Sequence, residues 1–304
     1  MFDNGYRNGK PSDADYVLYF EQDRVLLRAG RREETPGTAL GEEREEKGDQ
    51  GKSEGKSPLV AFPTFGQLKK SGLLEEASFC YLFSIDRKPF FLAHCVFPPE
   101  AFSREAFLAA HGLKLESISV FRKGHPRHMI FAGITAYQLA GWYRDNRFCG
   151  RCGGQTEHSQ TERALVCPRC GLVIYPKIAP AVIVAVMDGP RLLLSRYAYG
   201  AYRRYALLAG YCEVGETVEQ TVKREVFEEV GIRVKDLVYY KSQPWSFSGS
   251  LLMGFFARVD GDSRLKVDHR ELAEAGWFTA DEIQIDDSDI SLTNEMIRKF
   301  MKER

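Results

Sequence analysis

The sequence has no net charge and no long apolar run. Its 304 residues contain 42 lysines and arginines against 42 aspartates and glutamates, so no strong overall field favours a nucleic-acid or membrane partner. No apolar stretch approaches the roughly 20 residues that a membrane helix needs. The first residues also lack the basic and apolar regions of a signal peptide. We therefore expect neither a signal peptide nor a membrane partner.

Cysteine is scarce and odd in number, which argues against a disulfide framework. Four of the seven fall in two close pairs, a usage that fits a reducing cytoplasm. Cys149 and Cys152 are separated by fourteen residues from Cys167 and Cys170, the spacing of a closed structural zinc site. A redox pair or four ordinary buried cysteines are the alternatives. The remaining cysteines are expected to be buried thiols: Cys80, Cys95 and Cys212.

Composition shifts divide the chain into three predicted domains. Residues 1–145 are interpreted as an N-terminal mixed α/β domain, residues 146–176 as a zinc ribbon and residues 177–304 as a C-terminal domain. Residues 31–57 contain almost nothing apolar and are predicted to be a solvated loop or disordered insert. Their GDQGKSEGKS stretch lacks the glycine spacing of a phosphate-binding loop.

Hydrophobic patterning predicts strands and helices in both halves, and thus a mixed α/β (α+β) protein built as a sandwich. Strands are predicted at 16–20, 24–28, 79–85, 89–97, 172–176, 179–188, 191–197, 237–241 and 251–259. Helices are predicted at 101–112, 135–146, 217–230, 280–284 and 291–302.

The helix predicted at 217–230 has clear signals at both ends. Thr217 and Gln220 form a capping box at its start, and Gly231 stands in the usual position after a helix end. Valines recur at every fourth residue between them. This stripe should bury one side of the helix.

Three glutamates, Glu225, Glu228 and Glu229, crowd the end of this helix. At 100° per residue they fall within one arc of about 100° beside the apolar stripe. Carboxylates so close together resist ionising unless a cation is present. Mg²⁺ or Mn²⁺ is the natural partner for such oxygens, whereas a simply solvated acidic helix is the alternative.

The wider pattern resembles a known family. From Gly210 to Ile232 the chain matches the Nudix box, G-x5-E-x7-R-E-U-x-E-E-x-G-U with U apolar, at every fixed position. SQPWSFSGS, residues 242–250, resembles the SQPWPFPxS signature of the NADH pyrophosphatase group, with Ser246 and Ser248 in place of prolines. That group also carries a four-cysteine zinc ribbon before its Nudix domain. The sequence is therefore similar to Nudix hydrolases of this group.

The resemblance implies a fold and a site. It implies a Nudix α/β/α sandwich with a mixed sheet in residues 177–304, and pairing of Glu216 with Arg224 to hold the loop against the helix. It implies divalent-metal ligands at Ala209 (through its carbonyl), Glu225, Glu228, Glu229 and Glu271. It implies substrate contacts at Tyr211, Gln243, Trp245 and Ser250, although core packing is the alternative for the two aromatic residues.

The resemblance also implies a reaction: metal-dependent hydrolysis of NAD(H) to nicotinamide mononucleotide and AMP, and removal of NAD caps from RNA 5′ ends. Glu228 is the first choice for the general base, with Glu225 or Glu271 as alternatives. A cytoplasmic homodimer is expected. Two other functions stay open: hydrolysis of other nucleoside diphosphate derivatives, such as ADP-ribose or dinucleoside polyphosphates, and a Nudix module that senses nucleotides or binds nucleic acid without cleavage. Such modules often lose box glutamates, which are all present here.

Overall fold

A computed structural model describes residues 1–29, 57–73, 77–94, 104–199, 204–284 and 291–303. It divides the chain into two compact units, Met1–Pro176 and Lys177–Arg304. The predicted insert, apart from Ser57, and Cys95 lie outside the described residues. The division into three domains stays a prediction.

The first unit combines short sheets with helices. Its strands are β1 (Phe2–Asp3), β2 (Tyr16–Leu18), β3 (Phe20–Glu21), β4 (Arg24–Arg28), β5 (Ser78–Ile85), β6 (Lys88–His94), β7 (Leu113–Ser117), β8 (Glu157–His158), β9 (Leu165–Val166) and β10 (Val173–Ile174). Its helices are α1 (Phe65–Lys70), α2 (Arg104–Ala110) and α3 (Arg127–Asp145), with a 3₁₀ turn at Ile118–Arg122. The sheet orders are β1-β5-β6-β2, β3-β4-β7 and β10-β9-β8.

Two elements of this unit differ from the prediction. The run at 16–20 is divided between β2, which pairs with β6, and β3, which pairs with β4. Helix α3 begins at Arg127 rather than at 135, directly after Pro126, because a proline is tolerated at a helix start. Ile130 and Ile134 are buried one turn apart on this added segment, so tertiary packing extends the helix.

The second unit has one six-stranded sheet and two helices among its described residues. The strands are β11 (Ala179–Asp188), β12 (Arg191–Tyr197), β13 (Leu208–Tyr211), β14 (Val234–Trp245), β15 (Ser250–Val259) and β16 (Leu272–Thr279). The helices are α4 (Val218–Val230) and α5 (Leu292–Lys302). The sheet order is β14-β15-β11-β12-β16, with β13 paired to β11. Strand β11 runs parallel to β15 and antiparallel to β12 and β13, so the sheet is mixed.

Alternation along β11 separates two cores, because successive side chains of a strand point to opposite faces. Val182, Val184 and Val186 pack with the valine stripe of α4. Ile183 and Ala185 pack with the buried face of α5. The predicted α/β/α sandwich is therefore confirmed for this unit.

The helix predicted at 280–284 is wrong as a helix. The chain makes only a 3₁₀ turn at Ala280–Glu282, since the Thr279 hydroxyl and backbone N–H both donate to the Glu282 carboxylate and close a single turn. Across the described residues, no helix is both long enough and apolar enough to cross a membrane.

Candidate functional site

Helix α4 is fixed at both ends as predicted. Thr217 accepts a hydrogen bond from the Gln220 N–H at 3.3 Å, and the Gln220 side chain accepts one from the Thr217 N–H at 2.8 Å. Gly231 ends the helix with φ of 73°, a left-handed conformation that favours glycine. Because the valine stripe holds the helix to the sheet, the acidic residues stand at the margin of the core.

Arg224 organises the start of the site. Its guanidinium makes a two-point ion pair with Glu216, through Nε at 2.6 Å and Nη2 at 2.9 Å, and the same Nη2 also donates to the Tyr211 carbonyl at 2.9 Å. The hydrogen bond from Arg224 lowers the pKa of the Glu216 carboxyl to about 2. The buried Thr221 hydroxyl also donates to Glu216, at 2.9 Å. The loop before α4 is therefore tied to the helix.

The same arginine reaches two of the predicted metal ligands. Its Nη1 donates to Glu225 at 2.8 Å and to Glu228 at 2.9 Å. The Glu225 side chain is only 12% exposed, whereas that of Glu228 is 58% exposed. Burial raises the pKa of the Glu225 carboxyl. One carboxylate is thus enclosed and the other is open to water.

Glu229 is buried without a complete set of partners. It is 3% exposed, and its Oε2 has no hydrogen-bond partner. Burial raises the pKa of this carboxyl to about 8, and the charges of Glu225, Glu271 and Glu228 add to the shift. A buried polar atom left unpaired calls for an explanation such as an ion. The carboxylate chemistry around it suits a hard divalent cation.

Gly210 leaves room for the Glu225 carboxylate. A Cβ on Gly210 would lie 1.9 Å from the Glu225 Cδ, closer than any non-bonded contact allows. Strand β13 pairs Gly210 with Val182 and Tyr211 with Ala181. Gly210 therefore faces the α4 side of the sheet, while alternation sends Tyr211 to the other side.

The loop before β16 docks onto the end of α4. The Lys266 and Asp268 N–H groups each donate at 2.8 Å, to the carbonyls of Val230 and Glu229 respectively. Glu271 follows in this loop, where its carbonyl accepts from Ala198 at 2.9 Å. The Glu271 charge lies close enough to contribute to the raised pKa of Glu229.

Aromatic and hydroxyl groups lie on the opposite face. Tyr211 is 51% exposed, and its hydroxyl accepts from Ser250 at 3.2 Å. Ser250 also bonds Ser248 at 2.8 Å. Trp245 is half-buried, with its ring centroid 5.2 Å from that of Phe247. Core packing is a poor description of Tyr211, whose ring is open to solvent.

Gln243 has a structural partner that the sequence did not suggest. Its Oε1 accepts a hydrogen bond from the Leu292 N–H, at the start of α5, at 2.8 Å. Gln243 and Leu292 are far apart in the chain, so nothing local predicts this contact.

The four cysteines of the first unit form a compact donor set. Their sulfur atoms all lie within 4.8 Å of one another, and two pairs, Cys149–Cys170 and Cys152–Cys167, are 3.5 Å apart. Zinc–sulfur bonds of about 2.3 Å in a tetrahedron place sulfurs roughly 3.8 Å apart. The donor set therefore fits a closed zinc site.

The other cysteines follow the prediction only in part. Cys80 is buried as expected, but Cys212 is half-buried. It stands in the loop directly after β13, whose last residue is already exposed. Its predicted burial is therefore wrong.

Two family models match adjacent stretches of this chain. The NUDIX domain model matches residues 177–300, and the model of the NADH pyrophosphatase zinc ribbon domain matches residues 144–175. A protein of Pectobacterium atrosepticum named NAD-capped RNA hydrolase NudC is 48% identical over 185 residues, which are 59% of this chain and 68% of that protein. The chain belongs to the Nudix hydrolase family. Its ribbon places it in the NADH pyrophosphatase group.

Other relatives of this Nudix hydrolase match a shorter part. A Pectobacterium carotovorum protein of the same name is 47% identical over 146 residues, which are 48% of this chain and 56% of that protein. A solved NUDIX hydrolase from Nitrosomonas europaea is 26% identical, with a TM-score of 0.46, over 52% of this chain and 92% of that one. The chain thus spans between about half and two thirds of the length of these two NudC relatives.

The predicted ligands of the zinc ribbon and of the Nudix box differ in how closely they are spaced. Among the described residues, only the four cysteines form a group of three or more donors within 4.8 Å. The carboxylates of the Nudix box do not form such a group, although Arg224 Nη1 donates to both Glu225 and Glu228. Ala209 directly precedes Gly210 in β13 and pairs with Ile183.

Sequence reasoning missed two contributors to the Nudix site. Thr221 is buried against Glu216, and its spacing of four from the cap residue Thr217 was a usable signal. Asp268 anchors the loop of Glu271 through its backbone N–H, for which the side-chain pattern gave no signal.

Proposed function

We propose that this Nudix hydrolase cleaves the pyrophosphate bond of NAD(H) to give nicotinamide mononucleotide and AMP, and that it removes NAD caps from RNA 5′ ends. The observation that carries the proposal is the buried Glu229, whose Oε2 is unpartnered beside three further glutamates. The names of the relatives point to the NAD-capped substrate. Hydrolysis by water needs no covalent nucleophile on the protein.

The divalent ion would be held by Glu225, Glu229 and Glu271, with Glu228 and the Ala209 carbonyl completing the site. The unpartnered oxygen of Glu229 and the space at Gly210 support this assignment. When bound, Mg²⁺ or Mn²⁺ supplies neutralisation of phosphate oxygens, a more acidic water and stabilisation of the leaving oxyanion. Structural Zn²⁺ would be held by the four ribbon thiolates.

We place the general base at Glu228, with Glu225 and Glu271 as alternatives. The Glu228 carboxylate is exposed and is held by Arg224 at 2.9 Å, so water reaches it while its orientation is fixed. A carboxylate in this position can take the proton of the attacking water. Glu216 keeps Arg224 in place through the two-point ion pair.

Recognition of the dinucleotide is assigned to the opposite face of the sheet. The exposed ring of Tyr211 is available to stack on a base or a nicotinamide. Ser250 fixes the Tyr211 hydroxyl, and Trp245 follows Gln243 along β14. Gln243, which belongs to the family signature, lies on the same face of β14 as Trp245.

A second candidate is hydrolysis of other nucleoside diphosphate derivatives, such as ADP-ribose. It is favoured by Ser246 and Ser248, which replace two prolines of the signature. Ser248 now bonds the recognition residue Ser250, a contact that proline could not make. This change alters the surface that would meet the nicotinamide half.

We also propose that the protein works in the cytoplasm as a homodimer. The described cysteines are all free thiols, which suits a reducing compartment. Strand β14 lies at the edge of the sheet and exposes Val238 and Tyr239 by 59% and 55%. An exposed apolar edge is a candidate surface for a second copy.

Product analysis tests the proposal. The protein is incubated with NADH, ADP-ribose and NAD-capped RNA, with and without Mn²⁺, and products are separated by chromatography. Metal-dependent nicotinamide mononucleotide and AMP, absent with Glu229→Gln, support NAD(H) hydrolysis. Preferred turnover of ADP-ribose supports the second candidate, and lack of cleavage of all three substrates rejects both.

A further inference from the structure

Helix α5 begins without a cap from its own N-cap residue. Ser291 occupies that position, and its side chain makes no capping hydrogen bond. The first N–H groups of a helix have no partner within the helix. Leu292 carries one of them and is only 1% exposed. Its N–H therefore needs an acceptor from elsewhere in the fold.

Gln243 supplies that acceptor. The Leu292 N–H donates to the Gln243 Oε1 at 2.8 Å. Gln243 pairs with Leu252 across the β14–β15 ladder, and Leu252 packs in the core on the α5 side. Strand alternation therefore directs Gln243 toward the helix. The positive end of a helix dipole also favours an oxygen at this place.

A second contact joins the same helix to the same strand. Glu295, in the first turn of α5, accepts from the Tyr240 hydroxyl at 2.9 Å and from Lys241 Nζ at 2.8 Å. Gly254 on β15 permits the close approach, since a Cβ there would lie 2.7 Å from the Met296 sulfur. Helix α5 is thus fastened to β14 at two successive points.

Strand β14, which contacts α5 at these two points, also carries the proposed recognition residue Trp245. Trp245 stands two positions after Gln243 and pairs with Ser250. Both pairs, Gln243–Leu252 and Trp245–Ser250, lie on one face of the ladder because their positions differ by two. Any loosening at Gln243 therefore changes the placement of Trp245.

We propose that Gln243 is a positioning residue: its amide oxygen caps α5 and ties the helix to the strand that carries Trp245, instead of contacting the dinucleotide. The kinetic consequence rests on the proposed function, whereas the capping itself does not. This assignment replaces a direct role for Gln243 in recognition.

Three variants separate capping from direct recognition. Gln243→Ala removes the acceptor. Gln243→Glu keeps an oxygen that can accept the Leu292 N–H, but it removes the amide donor and adds a negative charge. Ser291→Ala is the matched control, because the Ser291 side chain does not cap.

Hydrogen exchange of the peptide covering 291–303, measured by mass spectrometry, reads the cap directly. Loss of a cap should speed exchange roughly tenfold in Gln243→Ala, while Gln243→Glu and Ser291→Ala stay within about twofold of the unmodified protein. Unchanged exchange in Gln243→Ala would overturn the proposal, as would equally fast exchange in Gln243→Glu.

Steady-state kinetics of NADH hydrolysis measure the effect of the lost cap on substrate binding and turnover. Gln243→Ala should raise KM several-fold with little change in kcat, and Gln243→Glu should recover most of the loss. A Gln243→Glu variant with normal exchange but worse KM than Gln243→Ala would show direct contact with substrate and reject the positioning role. If the unmodified protein does not hydrolyse NADH, the proposed function fails, and the exchange experiment still decides the cap.

Discussion

Glu229 is a residue whose burial opposes folding in the absence of a cation. A buried carboxylate that lacks a hydrogen-bond partner loses its hydration without compensation. Its pKa of about 8 expresses this penalty on the charged form. Strongly shifted pKa values cluster at functional sites. The neighbouring glutamates support the proposal that the function of Glu229 is to bind a divalent cation.

Glu229→Gln should stabilise the metal-free protein at alkaline pH. Between an ordinary pKa of 4.5 and the folded value of about 8, the folded state holds a proton that the unfolded chain has lost. Stability therefore falls as pH rises through that window. Glutamine does not titrate, so the variant lacks this dependence of stability on pH. In buffer free of Mg²⁺ and Mn²⁺, its Tm should exceed that of the unmodified protein by about 2–5 °C at pH 8. Near pH 5 the two Tm values should match.

The control for this measurement is Glu219→Gln, which changes an exposed glutamate of the same helix. It should keep the slope of the unmodified protein. Parallel Tm curves for Glu229→Gln and the unmodified protein would contradict the buried, protonated state of Glu229.

Gly210→Ala should disable the site while leaving the fold in place. The new methyl group would occupy the position of the Glu225 carboxylate, and displacing a reacting group by about 1 Å can lower a rate roughly a hundredfold. We expect a loss of this order in NADH turnover. Gly141→Ala in α3, where a Cβ meets only Arg144 at 3.8 Å, should retain full activity. Near-normal turnover by Gly210→Ala would rule out the packed arrangement of Glu225.

At the scale of elements, α4 could be predicted because its signals are local. The capping box, the valine period and Gly231 all lie within fifteen residues of the chain, and each acts through the nearest turns. The arc of glutamates follows from helix geometry alone.

Elements that depend on distant partners were predicted less well. The run at 16–20 is divided because its two halves pair with β6 and β4. These partners belong to different sheets, so the local pattern does not reveal the division. Gln243 has a helix from another part of the chain as its partner, which a strand pattern cannot indicate. Local patterns therefore predict the acidic helix α4, whereas the contacts that hold β14 depend on tertiary pairing.

Cys167→Ser should remove zinc from the ribbon and lower Tm without removing a catalytic group. Cys167 is fully buried, and its sulfur is 3.5 Å from that of Cys152, so the loss of one thiolate opens the closed site. Zinc content per chain and thermal melting measure the effect. Cys212→Ser, outside the ribbon, should keep its zinc. A Cys167→Ser protein with full zinc and unchanged Tm would contradict the ribbon assignment.

At the scale of the whole molecule, strand alternation places two sets of proposed site residues on opposite faces of the six-stranded sheet. Gly210 and the α4 carboxylates lie on one face, and Tyr211 with Ser250 lies on the other. Adjacent residues of β13 thus serve opposite faces. Under the proposed function, we therefore expect substitutions at Gly210 and Tyr211 to affect hydrolysis and recognition separately.

The two proposed metals also belong to different units, and chelation should distinguish them. The proposed carboxylate site suits a hard divalent ion that keeps several of its own waters and so stays open to a chelator, whereas four thiolates enclose zinc with no open position. Brief treatment with EDTA followed by gel filtration should abolish NADH hydrolysis and leave about one zinc per chain, as measured by elemental analysis. Added Mn²⁺ or Mg²⁺ should restore turnover, and added Zn²⁺ should not be required. Hydrolysis that survives removal of Mg²⁺ and Mn²⁺, or that returns only with Zn²⁺, would assign the reaction to a different metal site.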